Sequence, residues 1–213
     1  PRYISKHYPE LKNEIFREVE KKFSISRNSL SQTTKKINLL NYSDNIESLL
    51  IQNLSDEKLK NKLTYHNEGV ILYTGGGIVP SKLLSIINTK FIHIHPGYLP
   101  DVKGADCTLW SSLIFGKTAA SCFYMSTGID TGDIIISKWM PKLEFCIDNH
   151  KYNYKILYRA VYSFLDPWIR SIVLREFLNN YEIFHTVKPK IQDTKKGNTY
   201  YFMHNKIKNL ALS

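Results

Sequence analysis

The spacing of apolar and polar residues predicts helices and strands that alternate along the chain. Between residues 8 and 23, apolar side chains recur every three or four positions with charges between them, which predicts an amphipathic helix. Residues 69–74 form a short apolar run with β-branched and aromatic side chains, as is typical of a buried parallel strand. The same patterns predict further strands at 36–40, 91–95, 119–125, 134–139 and 199–203, and further helices at 43–54, from 56 onward, at 81–87, 109–115 and 153–178.

The lengths of the connections and of the whole chain add detail to the predicted arrangement of helices and strands. The joint between the strands at 119–125 and 134–139 is too short for a parallel crossover, so we expect an antiparallel pair there. Pro167 predicts a break or kink in the long C-terminal helix. The 213 residues contain no repeat and no linker of biased composition, which favours a single domain over residues 1–213. The first residue is Pro1 rather than Met, which leaves room for an upstream segment.

Three polar side chains are the strongest candidates for chemistry. His93 and His95 are two positions apart on a predicted strand, so their imidazoles leave the same face of the sheet close to its carboxyl end. Ligands bind at that end of the strands in open α/β sheets. Asp130 lies in a loop bracketed by Thr127-Gly128 and Thr131-Gly132, and we predict that its carboxylate is the partner of the two imidazoles.

A second candidate site is the run of three glycines that follows the strand at 69–74. Gly75, Gly76 and Gly77 permit backbone conformations and close approaches that other residues exclude. The spacing is not the GxGxxG of dinucleotide folds. The run therefore suits either a flat ligand lying on bare backbone or simply a tight turn from strand to helix.

Composition and charge limit the classes of protein to which this chain can belong, but they do not identify its binding partner. A formal charge of +10 suits nucleic acid, an anionic membrane or a phosphorylated small substrate, but the lysines are scattered, which favours a solvated basic surface. The three cysteines are odd in number and lack a CxxC spacing, which indicates buried, reduced thiols and a cytoplasmic protein. No apolar stretch approaches about 20 residues, and no leader pattern is visible.

Two motifs together resemble the folate-dependent formyltransferases. They are HIHPGYLPDVKGA at 93–105, followed by Trp110, and IDTGDII at 129–135; the family signature is an Asn-x-His-Pro stretch, a Leu-Pro, a basic-Gly pair and an Asp-Thr/Ala-Gly loop. A looser similarity extends from about Ile37 to Leu143. The resemblance implies an α/β fold with a Rossmann-like, mostly parallel sheet and flanking helices, to which a short C-terminal helix and strand are added.

The resemblance also implies transfer of a formyl group from 10-formyltetrahydrofolate to a primary amine. Its catalytic residues carry over to His95, Asp130 and the position of His93, where the family usually has Asn. His95 is expected to donate to the oxyanion and move protons while Asp130 orients it, and His93 is expected to donate a hydrogen bond in place of Asn. The pterin is expected to contact Gly76, Gly77, Ile78, Val79, Thr127, Gly128, Ile129 and Asp133.

The acceptor amine is predicted to belong to a nucleotide-linked amino sugar used for cell-surface glycans. Tyr200, Tyr201 and Phe202 offer surfaces for a base, and the basic balance suits a pyrophosphate. Tyr98, Lys103 and Trp110 are the residues expected near the acceptor, although Trp110 also suits a core position and Lys103 a solvated loop. Hydroxyornithine or another small amine is the alternative. The short tail after Leu178 weighs against tRNA, and the loop after Leu-Pro weighs against glycinamide ribonucleotide.

Two hypotheses from other functional classes are also compatible with the sequence. The His93-x-His95 pair with Asp130 also suits a metal-dependent hydrolase, although a fourth ligand is not evident and we expect no metal. The second alternative is a non-catalytic folate-binding protein, which is suggested by the presence of His93 where the family usually has Asn. No nucleic-acid or membrane partner is expected, and a homodimer is compatible with the sequence.

Overall fold

The computed structural model describes residues 1–32, 35–65, 69–75, 77–148, 151–180 and 187–212. Its central sheet contains four strands in the order β1–β2–β4–β5, and a separate two-stranded sheet joins β3 to β6. The strands are β1 (Gly69–Tyr73), β2 (Thr89–His95), β3 (Val102–Gly104), β4 (Ala119–Tyr124), β5 (Ile134–Trp139) and β6 (Asn198–Tyr200).

Helices cover both faces and the ends of this sheet. The first six helices are α1 (Arg2–His7), α2 (Pro9–Phe23), α3 (Arg27–Gln32), α4 (Glu57–Thr64), α5 (Ser81–Leu84) and α6 (Cys107–Phe115). The last three are α7 (Tyr154–Ala160), α8 (Asp166–Asn180) and α9 (Asn205–Ala211), and a π-helical segment, Val161–Leu165, joins α7 to α8. The predicted α/β fold with a central sheet and flanking helices is therefore confirmed.

Strand pairing in the central sheet is mixed. The β1 and β2 strands are parallel, with Tyr73 opposite His93. The β2–β4 and β4–β5 pairs are antiparallel, as predicted for the strands at 119–125 and 134–139. Over the described residues the expected mostly parallel sheet thus has one parallel and two antiparallel pairings. The β4–β5 pair is antiparallel because its connection is too short for a crossover.

The sheet has a different core on each face. On one face Ile92 and Ile94 of β2 pack with α2, α7 and α8 in the larger core, where the rings of Phe16 and Phe164 meet edge to face with centroids 5.4 Å apart. On the other face Phe91 packs with Val79 and Leu83 in a smaller cluster. Because side chains alternate along β2, the residues that share the face of Phe91 are His93 and His95.

Most predicted elements are confirmed, with shifted ends. The helix at 8–23 is α2, and the helix predicted from 56 onward is α4, whose N-cap Asp56 accepts the Lys58 N–H at 3.0 Å. The long helix at 153–178 is interrupted by the π-helical segment just before Pro167. Cys107 and Cys122 are buried free thiols as expected, whereas Cys146 is exposed, which corrects the expectation of burial there.

Two predictions between residues 36 and 54 are wrong. The strand at 36–40 is replaced by a 3₁₀ turn over Leu39–Asn41, and no helix forms at 43–54. Most of the apolar residues that suggested them are exposed, Leu40 by 65% and Leu50 by 92%, whereas Leu54 packs against the smaller core. A short amphipathic segment with so small a packing surface gains too little from propensity alone to become a helix or strand.

The C-terminal residues 187–212 run back across the molecule, and we call residues 187–203 the strap. Its β6 strand pairs with β3 in parallel, and Lys190 forms a bridge to Ile134 at the start of β5. The predicted strand at 199–203 is confirmed as the shorter β6, and the short C-terminal helix α9 follows it at residues for which no helix range was predicted. Lys103 extends under the strap and donates to the carbonyls of Thr194 at 3.1 Å and Lys196 at 2.9 Å.

Candidate active site

The candidate site lies on the face of β2 that carries both imidazoles. His93 and His95 project from this face as their spacing predicts, and the loop between β4 and β5 brings Asp130 to them. The structure thus brings together the three residues predicted to be catalytic. Their contacts, however, differ from those that the sequence suggested.

His95 is buried and both of its ring nitrogens are engaged. Nε2 lies 2.9 Å from the Val102 carbonyl oxygen, and Nδ1 lies 3.3 Å from Oδ2 of Asp130. The Val102 carbonyl can only accept, so Nε2 is the donor of that contact, while Nδ1 faces the carboxylate. Gly97 makes this packing possible, since a Cβ there would lie 2.7 Å from Nε2 of His95.

Asp130 is held by the backbone as well as by His95. Its Oδ2 accepts the Gly104 N–H at 2.8 Å, and the residue itself has φ of 53°, in the left-handed region. Asp tolerates that conformation better than most side chains do. The neighbouring Gly132 is required, because a Cβ there would lie 1.6 Å from the Tyr124 carbonyl oxygen. These constraints direct the carboxylate back over the sheet toward His95.

Gln192 of the strap holds the same loop from the other side, a contact that was not predicted from the sequence. Its side-chain amide Nε2 donates to the carbonyl of Asp130 at 2.7 Å and to that of Gly132 at 3.1 Å. Gln192 is itself buried. Since the residue stands in a stretch without hydrophobic periodicity, no pattern in the sequence points to it.

His93 is half-buried between two aromatic rings. Its Nδ1 lies 2.7 Å from the carbonyl oxygen of Tyr73, and the ring meets Phe123 edge to face with centroids 6.0 Å apart. Burial lowers the pKa of His93 by disfavouring the charged ring, and His95 adds to this, against opposing effects of the Tyr73 carbonyl and Asp130. His93 is therefore neutral near pH 7.

The glycine run supplies an open turn beside these imidazoles. Gly75 and Gly77 have φ of 124° and 109°, and a Cβ at either position would meet no atom within 4 Å. The Tyr73 hydroxyl donates to the Gly77 carbonyl. Ile78 is 86% exposed, whereas Val79 is buried in the smaller core, so its side chain is not free to contact a ligand. Gly76 lies outside the described residues.

The loop from 126 to 133 faces solvent on the side opposite its anchors. Thr127, Gly128 and Ile129 are exposed, Ile129 by 56%, while the backbone carbonyl of Asp133 accepts the Tyr124 N–H at 2.9 Å. Met125 at the start of the loop packs against the cluster that contains Val79. The glycine turn and this loop are therefore neighbours, and each presents one exposed isoleucine.

The three residues predicted near the acceptor have separate surroundings. Tyr98 stacks on Trp139 with centroids 4.8 Å apart. Trp110 donates from Nε1 to the Tyr201 carbonyl at 2.9 Å, and its ring lies 5.0 Å from that of Tyr200. Lys103 is buried beneath the strap, so its ammonium is occupied by backbone carbonyls. A substrate contact for each of these three stays a prediction.

Neither a metal site nor a membrane segment is found in the described ranges. No group of three or more His, Cys, Asp or Glu side chains there is placed to hold a metal ion. No helix in those ranges is both long and apolar enough to cross a membrane.

Comparison with known proteins gives consistent results. The family model described as formyl transferase matches residues 17–154. The methionyl-tRNA formyltransferase of Buchnera aphidicola is 31% identical over 108 residues, which are 49% of this chain and 34% of that protein. That of Clostridioides difficile is 34% identical over 84 residues, 38% of this chain and 27% of that protein. The chain thus spans about a third of the length of these curated relatives.

Among solved structures, a sugar N-formyltransferase from a Shewanella species superposes with a TM-score of 0.53 at 21% identity. The match covers 75% of this chain and 65% of that one. HypX from Aquifex aeolicus gives a TM-score of 0.51 at 16% identity, covering 77% of this chain and 28% of that one. These likenesses establish a shared fold.

We expect His93 to make the protein less stable in acid. Its pKa is lowered on folding, so the unfolded state binds more protons at pH values between the folded pKa and about 6.5. The stability contributed by His93 is present above about pH 6.5 and is lost as the pH falls toward the folded pKa. Urea unfolding of wild type and His93→Asn at about pH 7.5 and 5.5 measures this, and the variant should lose less stability. Equal losses of unfolding free energy in wild type and variant would contradict this expectation.

We expect Gln192→Glu to release the Asp130 loop. The change keeps the size of the side chain but removes both N–H donors, leaving two carbonyls unpaired at a cost of about 1–3 kcal/mol. Hydrogen–deuterium exchange should be faster in the peptide that spans 126–134. Lys103→Met is the matched control, because it frees the strap at 194–196 without touching the loop. Similar exchange at 126–134 in both variants would show that Gln192 only fastens the strap.

Proposed function

Because the chain belongs to the formyl transferase family, we propose that the protein transfers a formyl group from 10-formyltetrahydrofolate to a primary amine. One observation carries the proposal. His93, His95 and Asp130 lie within the matched residues, and the structure brings them to one face of β2, beside the open glycine turn. The donor supplies the activated formyl group, and the residues of this chain bind the donor and transfer protons.

The residues around the glycine turn suit a flat, partly apolar ligand such as a pterin. Gly77 leaves its backbone bare, since even a Cβ would meet nothing there. Ile78 and Ile129 are large, exposed apolar side chains on the turn and on the neighbouring loop, and a ring between them would remove both from water. Gly76, Thr127, Gly128 and Asp133 are proposed to contribute through the backbone, and so is Val79.

The chemistry of formyl transfer needs a donor for the developing oxyanion and an acceptor for the proton of the amine. Buried His95 and half-buried Asp130 provide an oriented pair whose position is fixed by Val102 and Gly104. We assign oxyanion stabilisation to His95 through Nδ1, whose 3.3 Å contact with Asp130 is the longer of its two. Asp130 holds the ring in place.

A nucleotide-linked amino sugar is the acceptor that the surface around the strap favours. Tyr201 and Phe202 are 78% and 79% exposed beside Trp110, which gives aromatic area for a base. Residues 188–208 contain six lysines and one aspartate, a balance that complements a pyrophosphate. The Shewanella neighbour bears the name sugar N-formyltransferase, whereas the curated relatives bear the name methionyl-tRNA formyltransferase, so methionyl-tRNA is the second candidate.

Calorimetric titration with 5-formyltetrahydrofolate, a stable isomer of the donor, tests the first half of the proposal. We expect saturable binding that Gly77→Val weakens at least about tenfold, because a β-branched residue cannot adopt φ of 109° and would intrude on the bare turn. Gly116→Val is the matched control, since Gly116 also has positive φ, at 67°, but ends α6 away from the site. If the wild-type protein does not bind 5-formyltetrahydrofolate, the assignment of a folate donor is wrong.

A panel of amines tests the acceptor. Purified protein with 10-formyltetrahydrofolate is offered nucleotide-linked amino sugars, hydroxyornithine, glycinamide ribonucleotide and methionyl-tRNA, and formylated product is followed by mass spectrometry. We expect turnover on an amino sugar, and we expect Tyr201→Ala with Phe202→Ala to raise KM more than it lowers kcat, since lost stacking is lost binding. Exclusive turnover on hydroxyornithine or on methionyl-tRNA would reassign the substrate.

A further inference from the structure

The hydrogen bond of His93 decides which of its nitrogens carries the proton. The Tyr73 carbonyl oxygen is an acceptor only, so Nδ1 at 2.7 Å must be the donor. A neutral imidazole has one N–H, and this contact uses it. Nε2 is then left with a lone pair, and the structure gives it no hydrogen-bond partner within the described residues. Neutral His93 therefore offers an acceptor, not the donor that an Asn amide would offer at this position.

His95 cannot provide that acceptor in the observed arrangement. Its Nε2 faces the Val102 carbonyl, which requires an N–H there, and its Nδ1 is occupied by the Asp130 carboxylate. The two neighbouring imidazoles thus differ in their hydrogen bonds, although the sequence presents them as equivalent. Both nitrogens of His95 are engaged, and Nε2 of His93 has a lone pair to offer.

We propose that Nε2 of His93 is the base that accepts the proton of the attacking amine, an inference that rests on the proposed formyl transfer. The amine lone pair forms the new C–N bond and the carbonyl π pair moves to oxygen. His93 takes the proton that the amine nitrogen then loses. When the oxygen pair re-forms the carbonyl, the C–N bond to the donor breaks, and the departing nitrogen receives that proton from His93. The sum is amine plus formyl donor giving formamide plus the N–H form of the donor.

The surroundings of His93 suit a base that works near neutral pH. The groups that influence its charge are the Tyr73 carbonyl on β1, His95 on β2, Asp130 in the β4–β5 loop and Arg170 on α8. Phe123 and Tyr73 shield the ring from water on two sides. Burial keeps the ring unprotonated, so the lone pair is available without prior loss of a proton.

The tautomer is tested first, by long-range ¹H–¹⁵N correlation spectra of ligand-free protein, with the His93 signals identified by their loss in His93→Asn. We expect a protonated Nδ1 and an unprotonated Nε2 near neutral pH. The opposite tautomer would overturn the inference. This measurement needs no turnover, so its failure is distinguishable from failure of formyl transfer, which the folate titration and the amine panel judge separately.

The role is tested by pH profiles of kcat/KM on the best amine of the panel. His93→Asn replaces the base by an amide donor, and we expect a loss of about 10²–10⁴-fold together with loss of the acid limb. His7→Asn is the matched control, because it removes an exposed imidazole in the last turn of α1, which packs on α2 and α7, and should keep the wild-type profile. A His93→Asn enzyme with wild-type kcat/KM and an unchanged acid limb would overturn the inference.

Discussion

The carboxylate of Asp130 is the point on which the candidate site depends. One oxygen accepts from the Gly104 backbone and faces the His95 ring, while the backbone carbonyl of the same residue accepts from Gln192. A single residue thus joins β2, β3, the β4–β5 loop and the strap. Because a buried carboxylate is costly without such partners, the contacts stabilise one another, and loss of one weakens the rest.

The strap gives this arrangement its rigidity from outside the matched part of the chain. The family model ends at residue 154, but residues beyond it reach the site through Gln192 and reach β3 through β6. Lys103 is a basic residue beside Gly104 that sequence reasoning assigns to a substrate. Its ammonium is engaged by the Thr194 and Lys196 carbonyls, so its observed contribution is to hold the strap against β3.

Local patterns predicted the central strands, the shared face of the two imidazoles and the approach of Asp130, because each follows from strand periodicity or turn chemistry close in sequence. Contacts across long separations were not predictable: Gln192 meets a loop 60 residues away, and no periodicity marks it. The false helix at 43–54 has the opposite cause, since its apolar spacing is real but Ile46, Leu49 and Leu50 remain exposed. Nor does the spacing of His93 and His95 reveal that their hydrogen bonds differ.

Tyr73 connects the binding turn to the acid–base chemistry through a single residue. Its backbone carbonyl faces Nδ1 of His93 because the parallel register of β1 and β2 sets the two residues opposite each other, and its hydroxyl holds the Gly77 carbonyl. Register in a sheet normally decides which side chains share a face. Here it also decides which imidazole nitrogen is basic. A slip of one residue between these strands would move the carbonyl away from Nδ1 of His93, and neither tautomer would then be selected by the backbone. The alignment of β1 and β2 therefore determines which nitrogen of His93 carries the proton.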